Sequence, residues 1–165
     1  MKIKLRKWLK ELVSILIILT IVSIALDYYR SFNMPKGNVP ALITETLDGQ
    51  RVDLVEMSQE QPVILYFWAT WCGPCKVVSP TVNQFAENSN VVTIALSSGP
   101  DEKVERYLET KDYQFPVVND INGKISQRWN VQITPTIVII NKGEIKSITT
   151  GITSPVGLWI RTLLA

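Results

Sequence analysis

The chain has 165 residues, 46% of them hydrophobic, with 17 Lys and Arg against 15 Asp and Glu and no histidine. This length suits one domain with a hydrophobic core and is too short to expect two. The small formal net charge of +2 gives no sign of a nucleic-acid-binding surface, and two cysteines without histidine cannot supply the four ligands of a structural zinc site.

The N-terminal segment differs in composition from the rest and predicts a membrane anchor. Residues 1–11 carry five Lys and Arg and one Glu, whereas residues 12–26 carry no charge. With its flanking aromatic residues the apolar helix reaches about 20 residues, the length of a membrane span. A cleaved signal peptide is the alternative, since Ser23 and Ala25 form a small-residue pattern, but the Leu- and Ile-rich run favours retention. We therefore expect an anchor at 12–30.

The orientation of this anchor follows from its charges. The basic tail at 1–11 is expected to stay in the cytoplasm, so the rest of the chain faces the periplasm or the exterior of a bacterial inner membrane. Residues 31–165 hold 11 Lys and Arg against 13 Asp and Glu, a net of −2. Within them, residues 31–40 contain two prolines and a glycine and are expected to form a tether. The exported domain is expected at 41–165.

The domain opens with a predicted hairpin at 41–54, two short runs that flank an Asp-Gly turn. A continuous apolar run from Pro62 has the length and the β-branched and aromatic content of a strand buried on both faces. The two cysteines follow directly. Apolar residues at helical spacing over 76–88 predict a helix that begins under Cys72, and Pro80 is expected to kink it.

The second half of the chain alternates strands and helices. A buried strand at 91–96 precedes a helix that opens with acidic residues, and two strands flank a turn at 141–143. This order predicts an α/β domain with a mixed central sheet flanked by helices. Trp129 is expected in the core. The last helix is expected to bury one apolar face, formed by Val156, Trp159, Ile160 and Leu163.

The two cysteines, Cys72 and Cys75, stand three positions apart and have three interpretations. A structural disulfide is disfavoured, because closing so short a loop removes little entropy from the unfolded chain. Two thiolates could hold Cu(I), which tolerates low coordination numbers. A redox-active pair fits best, because Cys72 precedes a helix N-terminus, which favours the thiolate. Cu(I) binding stays open as the alternative.

Several features, in order and distance, resemble the thioredoxin fold. They are WCGPC after an apolar strand, Pro80 shortly after the second cysteine, the TPT sequence at 134–136 ahead of a strand, and Gly151 before the last helix. The likeness covers about residues 39–165. With its anchor and N-terminal hairpin, the chain resembles the membrane-anchored, exported thioredoxin-like reductants, which include the cytochrome c maturation thioredoxins. This implies a thioredoxin fold, with an added β-hairpin and transmembrane helix, and a protein-disulfide reductase that uses no cofactor.

The resemblance also implies roles for the residues of the motif. Cys72 is expected to attack a substrate disulfide and Cys75 to resolve the mixed disulfide. Pro135 is expected to be cis and to pack against the sulfur atoms. The residues expected to contact substrate are Trp71, Gly73, Pro74 and Thr134.

Two positions depart from the family pattern. Cytoplasmic thioredoxins bury an aspartate where this chain has Tyr66, and the cytochrome-maturation reductants often have a glutamate where this chain has Val78. The general base is therefore not identified. A Gly-Pro pair between the cysteines resembles reductants more than oxidants or isomerases, which remain alternatives. The partners expected are disulfide-bearing exported proteins and a transmembrane electron donor, because a reducing dithiol must be regenerated after each turnover.

Overall fold

The computed structural model describes residues 2–165, with side chains from residue 8 onward. Its first helix, α1 (Lys2–Ser31), is 30 residues long. The segment Trp8–Ser31 is long and apolar enough to cross a membrane, with a mean hydropathy of 2.3 and no burial against the domain in its most apolar window. Most side chains of the basic tail predicted at 1–11 lie outside the described residues.

The domain is built on a six-stranded mixed sheet and a separate hairpin. In chain order the strands are β1 (Gly37–Asn38), β2 (Ile43–Glu45), β3 (Arg51–Asp53), β4 (Val63–Trp68), β5 (Asn90–Leu96), β6 (Val117–Asp120), β7 (Thr136–Asn141) and β8 (Glu144–Thr150). The large sheet has the spatial order β1-β8-β7-β4-β5-β6, with β4 parallel to β5 and antiparallel to β7. The hairpin pairs β2 with β3. Both the mixed sheet and the hairpin confirm the sequence prediction.

Five further helices lie around the sheet. They are α2 (Leu54–Met57), α3 (Cys75–Ala86), α4 (Asp101–Lys111), α5 (Lys124–Arg128) and α6 (Pro155–Leu163). The N-cap residue of α6 is Ser154, whose Oγ accepts a hydrogen bond from the Gly157 N–H at 3.1 Å. Pro80 lies inside α3, as predicted.

The central strand β4 is buried along its whole length, because both faces of the sheet are covered. Its alternate residues Ile64, Tyr66 and Trp68 belong to the core layer that contains the cysteines. Its other residues face a second layer, which contains Trp129, as predicted for that tryptophan. The period-two alternation of a strand thus places the residues of β4 in two separate cores.

The predicted burial of the apolar face of α6 is wrong. Val156 and Trp159 are 65% and 56% exposed, and Ile160 and Leu163 are exposed with them. The helix instead packs through Leu158, which is 1% exposed, one residue before Trp159. Gly157, next to Leu158, is half-buried, and a side chain there would meet Ser154 Oγ, the cap of the same helix. The apolar spacing therefore identified a helix but not the face that packs.

Residues 31–40, expected to form a tether, pack against the domain. Gly37 and Asn38 form β1, which pairs antiparallel with β8. Met34 and Val39 are 4% and 8% exposed and belong to the second core layer. The two apolar side chains explain the difference, because burying them favours docking of the segment.

Candidate active site

The cysteine pair lies where β4 ends and α3 begins. Cys72 and Cys75 form a disulfide bond, with their Cα atoms 5.3 Å apart. Cys75 is the first residue of α3, and Cys72 lies in the preceding loop, where its N–H donates to the Ala69 carbonyl at 3.1 Å. The two residues are 3% and 1% exposed, Cys72 being the more accessible.

The first turn of α3 directs a backbone donor at the Cys72 sulfur. The Cys75 N–H donates to Cys72 Sγ at 3.1 Å. The N-cap residue, Pro74, makes no side-chain capping hydrogen bond, so the Cys72 sulfur is the side-chain acceptor at this helix end. In the reduced protein this N–H and the positive end of the helix dipole would favour a Cys72 thiolate over the thiol. The donor geometry therefore supports a nucleophilic Cys72.

A second loop supports the cysteine loop from the side, and sequence reasoning missed it. Trp71 is 62% exposed, and its Nε1–H donates to the Ser97 carbonyl at 3.1 Å. The Thr70 N–H donates to Ser98 Oγ at 3.0 Å. Ser97 and Gly99 both have positive φ, 43° and 104°, so the chain turns sharply here. The Ser-Ser-Gly-Pro sequence after β5 was the available signal for this turn.

The proline predicted to be cis has that conformation. The Thr134–Pro135 peptide bond is cis, which confirms the prediction. Pro135 is buried and Thr134 is half-buried. The next residue, Thr136, pairs with Phe67 near the end of β4, so the proline lies at the same end of the strands as Cys72, here called the active-site edge of the sheet.

The residues between the two cysteines lie at this edge as well. Gly73 and Pro74 are exposed between the two sulfurs. The structure thus gathers all seven predicted site residues at one edge of the sheet.

Behind the cysteines lies a buried pair of hydroxyl groups. Tyr66 Oη and Ser79 Oγ are 3.0 Å apart, and both residues are at most 1% exposed. Ser79 lies one helical turn after Cys75 on α3, on the same side of the helix. Burial raises the pKa of the Tyr66 hydroxyl, outweighing the lowering effect of the hydrogen bond with Ser79. Tyr66 therefore keeps its proton at neutral pH.

The two positions at which related proteins carry a buried acid hold Tyr66 and Val78 in this chain. Val78, like Tyr66, is buried, at 1% exposed. Within the described part of the chain, no group of three or more His, Cys, Asp or Glu residues is arranged to hold a metal ion. The hydrogen-bonding groups described around the cysteines are backbone amides and the hydroxyls of Tyr66, Ser79 and Ser98.

Known sequences resemble this chain over most of its length. A profile of the AhpC/TSA family matches residues 34–148. A thioredoxin-like protein from Haemophilus influenzae is 38% identical over 163 residues, which cover 98% of this chain and 97% of that protein. The thiol-disulfide oxidoreductase ResA of Oceanobacillus iheyensis is 34% identical over 114 residues, covering 66% of this chain and 59% of ResA.

Solved structures resemble the domain as well. StoA from Bacillus subtilis superposes with a TM-score of 0.63 at 27% identity, over 76% of this chain and 98% of StoA. A secreted disulfide oxidoreductase of Mycobacterium tuberculosis, described as homologous to E. coli DsbE, superposes with a TM-score of 0.65 at 25% identity, over 76% of this chain and 96% of that one. The thioredoxin fold predicted from the motif is therefore confirmed.

Proposed function

Because the chain belongs to the AhpC/TSA family and is a thiol-disulfide oxidoreductase of thioredoxin fold, we propose that it reduces disulfide bonds of exported proteins through Cys72 and Cys75. The observation that carries this proposal is the Cys75 N–H aimed at Cys72 Sγ, at 3.1 Å, at the start of α3. A donor in that position favours the anionic sulfur that thiol-disulfide exchange needs.

The size of the required pKa shift is within reach of this geometry. Free cysteine has a pKa of about 8.5, so only about 3% is ionised at pH 7. Lowering the pKa of Cys72 to about 7 requires roughly 2 kcal/mol of preference for the thiolate. A partly buried helix N-terminus supplies up to about 2 kcal/mol. The helix end and the aimed N–H together account for the preference.

The reaction transfers two electrons in two exchange steps. The Cys72 thiolate attacks one sulfur of the substrate disulfide, forming a mixed disulfide and releasing the other substrate sulfur as a thiolate. Cys75 then loses its proton and attacks Cys72 Sγ, which forms the protein disulfide and releases the second substrate sulfur. Two electrons and the Cys75 proton pass from the protein to the substrate, which leaves as one thiol and one thiolate; the thiolate takes its proton from solvent, to which the Cys72 proton was lost on ionisation.

The proton of Cys75 has no carboxylate to receive it at positions 66 or 78. The Tyr66 hydroxyl, whose pKa burial raises, keeps its proton at neutral pH and does not serve as the base. We assign the role of base to the substrate thiolate released in the first step, which stands beside the mixed disulfide and needs a proton. On this scheme Trp71, Thr134 and Pro135 position the substrate, and Gly73 and Pro74 shape the loop between the sulfurs.

The proposed direction is reduction at a membrane. The Gly73-Pro74 pair resembles reductants, and α1 contains a segment of membrane-spanning length and hydropathy. We propose a single-pass anchor in a bacterial inner membrane, with the domain on the periplasmic or outer side and a transmembrane protein as electron donor. The finer likeness is to the suppressor for copper sensitivity protein D, through the sequences at 48–54 and 61–75 and the short basic tail.

The experiment follows cleavage of insulin disulfides by the reduced full-length protein in detergent. We expect the reduced wild-type protein to cleave insulin disulfides in a single turnover and Cys72→Ser to cleave none, while Cys75→Ser accumulates mixed disulfides that mass spectrometry can identify. A reduction potential near the roughly −120 mV of strong oxidants would reverse the proposed direction. Tight stoichiometric Cu(I) binding without insulin cleavage would replace the proposal with the copper-binding alternative.

A further inference from the structure

The C-terminal end of α1 is hydrogen-bonded to the last residue of β8. Asp27 Oδ1 accepts two hydrogen bonds from Thr150, one from its N–H at 2.6 Å and one from its Oγ1 at 2.7 Å. Thr150 pairs with Thr136 of β7, and Thr136 pairs with Phe67 of β4. One row of paired residues therefore runs across the sheet from the helix to the strand that leads into Cys72.

A second link joins the same place to the proline loop. Gly151, which follows Thr150, donates its N–H to the Pro135 carbonyl at 2.7 Å. Asp27 is therefore hydrogen-bonded to Thr150, and the next residue, Gly151, is hydrogen-bonded directly to the cis-proline. The helix that carries the apolar segment is therefore attached, through Asp27, at the end of the strands where the candidate active site lies.

The path of the chain gives the direction in which α1 leaves the domain. From Asp27, beside Thr150, the chain passes to Gly37, which pairs with Ile145 nearer the other end of β8. After the helix, the chain therefore runs along β8 away from the candidate active site. From this path we infer that the preceding turns of α1 extend the opposite way, past the end of the sheet that holds the candidate active site, and their uncharged stretch, 12–26, ends immediately before Asp27.

The row Thr150, Thr136 and Phe67 places the start of the cysteine loop level with the residue at which the apolar stretch of α1 ends. β8 and β4 are separated by β7 alone, so two strand spacings, about 10 Å, separate them laterally. The same edge exposes large apolar side chains. Trp71 beside Cys72 is 62% exposed, Val77 in the first turn of α3 is 60% exposed, and Ile152 after Gly151 is 66% exposed. Tryptophan suits the boundary between water and lipid, and Val77 and Ile152 add apolar area on the same side.

We propose that the Asp27–Thr150 contact holds the dithiol edge against the membrane surface, so that its partner is a disulfide carried at that surface by a membrane-bound protein. This rests on the proposed function, because it names the substrate class of the same dithiol. The exchange is the one given above: the dithiol becomes a disulfide, and the surface-bound disulfide becomes two thiols.

The test uses the reduced full-length protein in vesicles of phosphatidylcholine and phosphatidylglycerol. A few per cent of phosphatidylethanolamine with a pyridyl-disulfide headgroup serves as the surface disulfide, and a membrane-impermeant soluble pyridyl disulfide is measured in parallel. Release of thiopyridone gives the two single-turnover rates. We expect Asp27→Ala to lower the ratio of the lipid-bound to the soluble rate about tenfold, because the orientation that raises the effective concentration is lost.

Two matched variants sharpen the result. Asp27→Asn keeps an oxygen acceptor for Thr150 and is expected to keep the ratio, and Glu102→Ala, which removes an exposed carboxylate from α4, is expected to leave it unchanged. An unchanged ratio in Asp27→Ala, or an equal fall in Asp27→Asn, would overturn the proposed contact. Reduction of neither disulfide by the wild-type protein would instead refute the proposed function, so the two failures are distinguishable.

Discussion

Helices α3 and α6 both carry apolar residues at helical spacing, yet they use them differently. In α3 the apolar stripe faces inward, with Val78 and Val82 at most 1% exposed, and Val77 lies off that stripe in solvent. The stripe of α6 faces outward, and the helix packs through Leu158 and its small or polar neighbours. Periodicity therefore reports the presence of a helix, whereas the packing face depends on which side chains fit the surface beneath.

The largest expected effect lies on the inner face of α6. Leu158→Ala should lower the free energy of unfolding by about 3 kcal/mol, because it removes a fully buried side chain and leaves a cavity. Urea denaturation followed by circular dichroism measures this. A loss below about 1 kcal/mol would mean that α6 does not pack through this residue, and the contrast with α3 would disappear.

A smaller effect is expected where α3 meets β4. Tyr66→Phe should cost about 1 kcal/mol at neutral pH, because it leaves the buried Ser79 hydroxyl without its partner. As the pH is raised, the free energy of unfolding of Tyr66→Phe should also fall by less than that of the wild-type protein. The pKa of Tyr66 is raised in the folded protein, so its contribution is fully present below the ordinary tyrosine pKa of about 10 and is lost as the pH rises above that value.

Denaturation at several pH values above 9 measures this second effect. Tyr107→Phe is the matched control, because burial also raises the pKa of Tyr107, but that residue lies partly in solvent. If the free energies of unfolding of Tyr66→Phe and the wild-type protein fall in parallel at alkaline pH, the buried hydroxyl pair does not account for a difference between the inner faces of α3 and α6.

A comparable or slightly smaller effect is expected at the loop that leads into α3. Ser98→Ala removes the acceptor of the Thr70 N–H and should cost about 1 kcal/mol or less. It should also lower the insulin-cleavage rate under conditions in which the variant stays folded, because Thr70 adjoins the cysteine loop. Thr110→Val, which removes a hydroxyl contact on exposed α4, is the control. If the two variants change the cleavage rate equally, the 97–99 loop does not support the candidate active site.

The smallest effect is expected on the outer face of α6. Trp159→Ser should change the free energy of unfolding by less than about 0.5 kcal/mol, because an exposed side chain loses little on truncation. The measurement is the same urea titration used for Leu158→Ala. A loss as large as that of Leu158→Ala would show that Trp159 is covered in solution.

The sequence was sufficient for the features that depend on local pattern. The buried strand before Cys72, the hairpin turn and the helix after the cysteines each have a signal within a few residues, whereas the cis-proline was expected from the resemblance to the thioredoxin fold. The packing face of α6, the docking of Met34 and Val39 and the support of Trp71 by Ser97 depend on contacts between distant segments. No local pattern encodes those contacts, which is why the exposed Trp159 was predicted to be buried.

The short strand β1 also decides how the domain could be released from a membrane. β8 would be an edge of the sheet if β1 did not pair with it. Proteolysis between Ser31 and Met34 would liberate a domain with that edge still covered. Cleavage after residue 40 would strip β1 away and leave a row of unpaired amide and carbonyl groups, on which a second copy could add a strand and begin to aggregate.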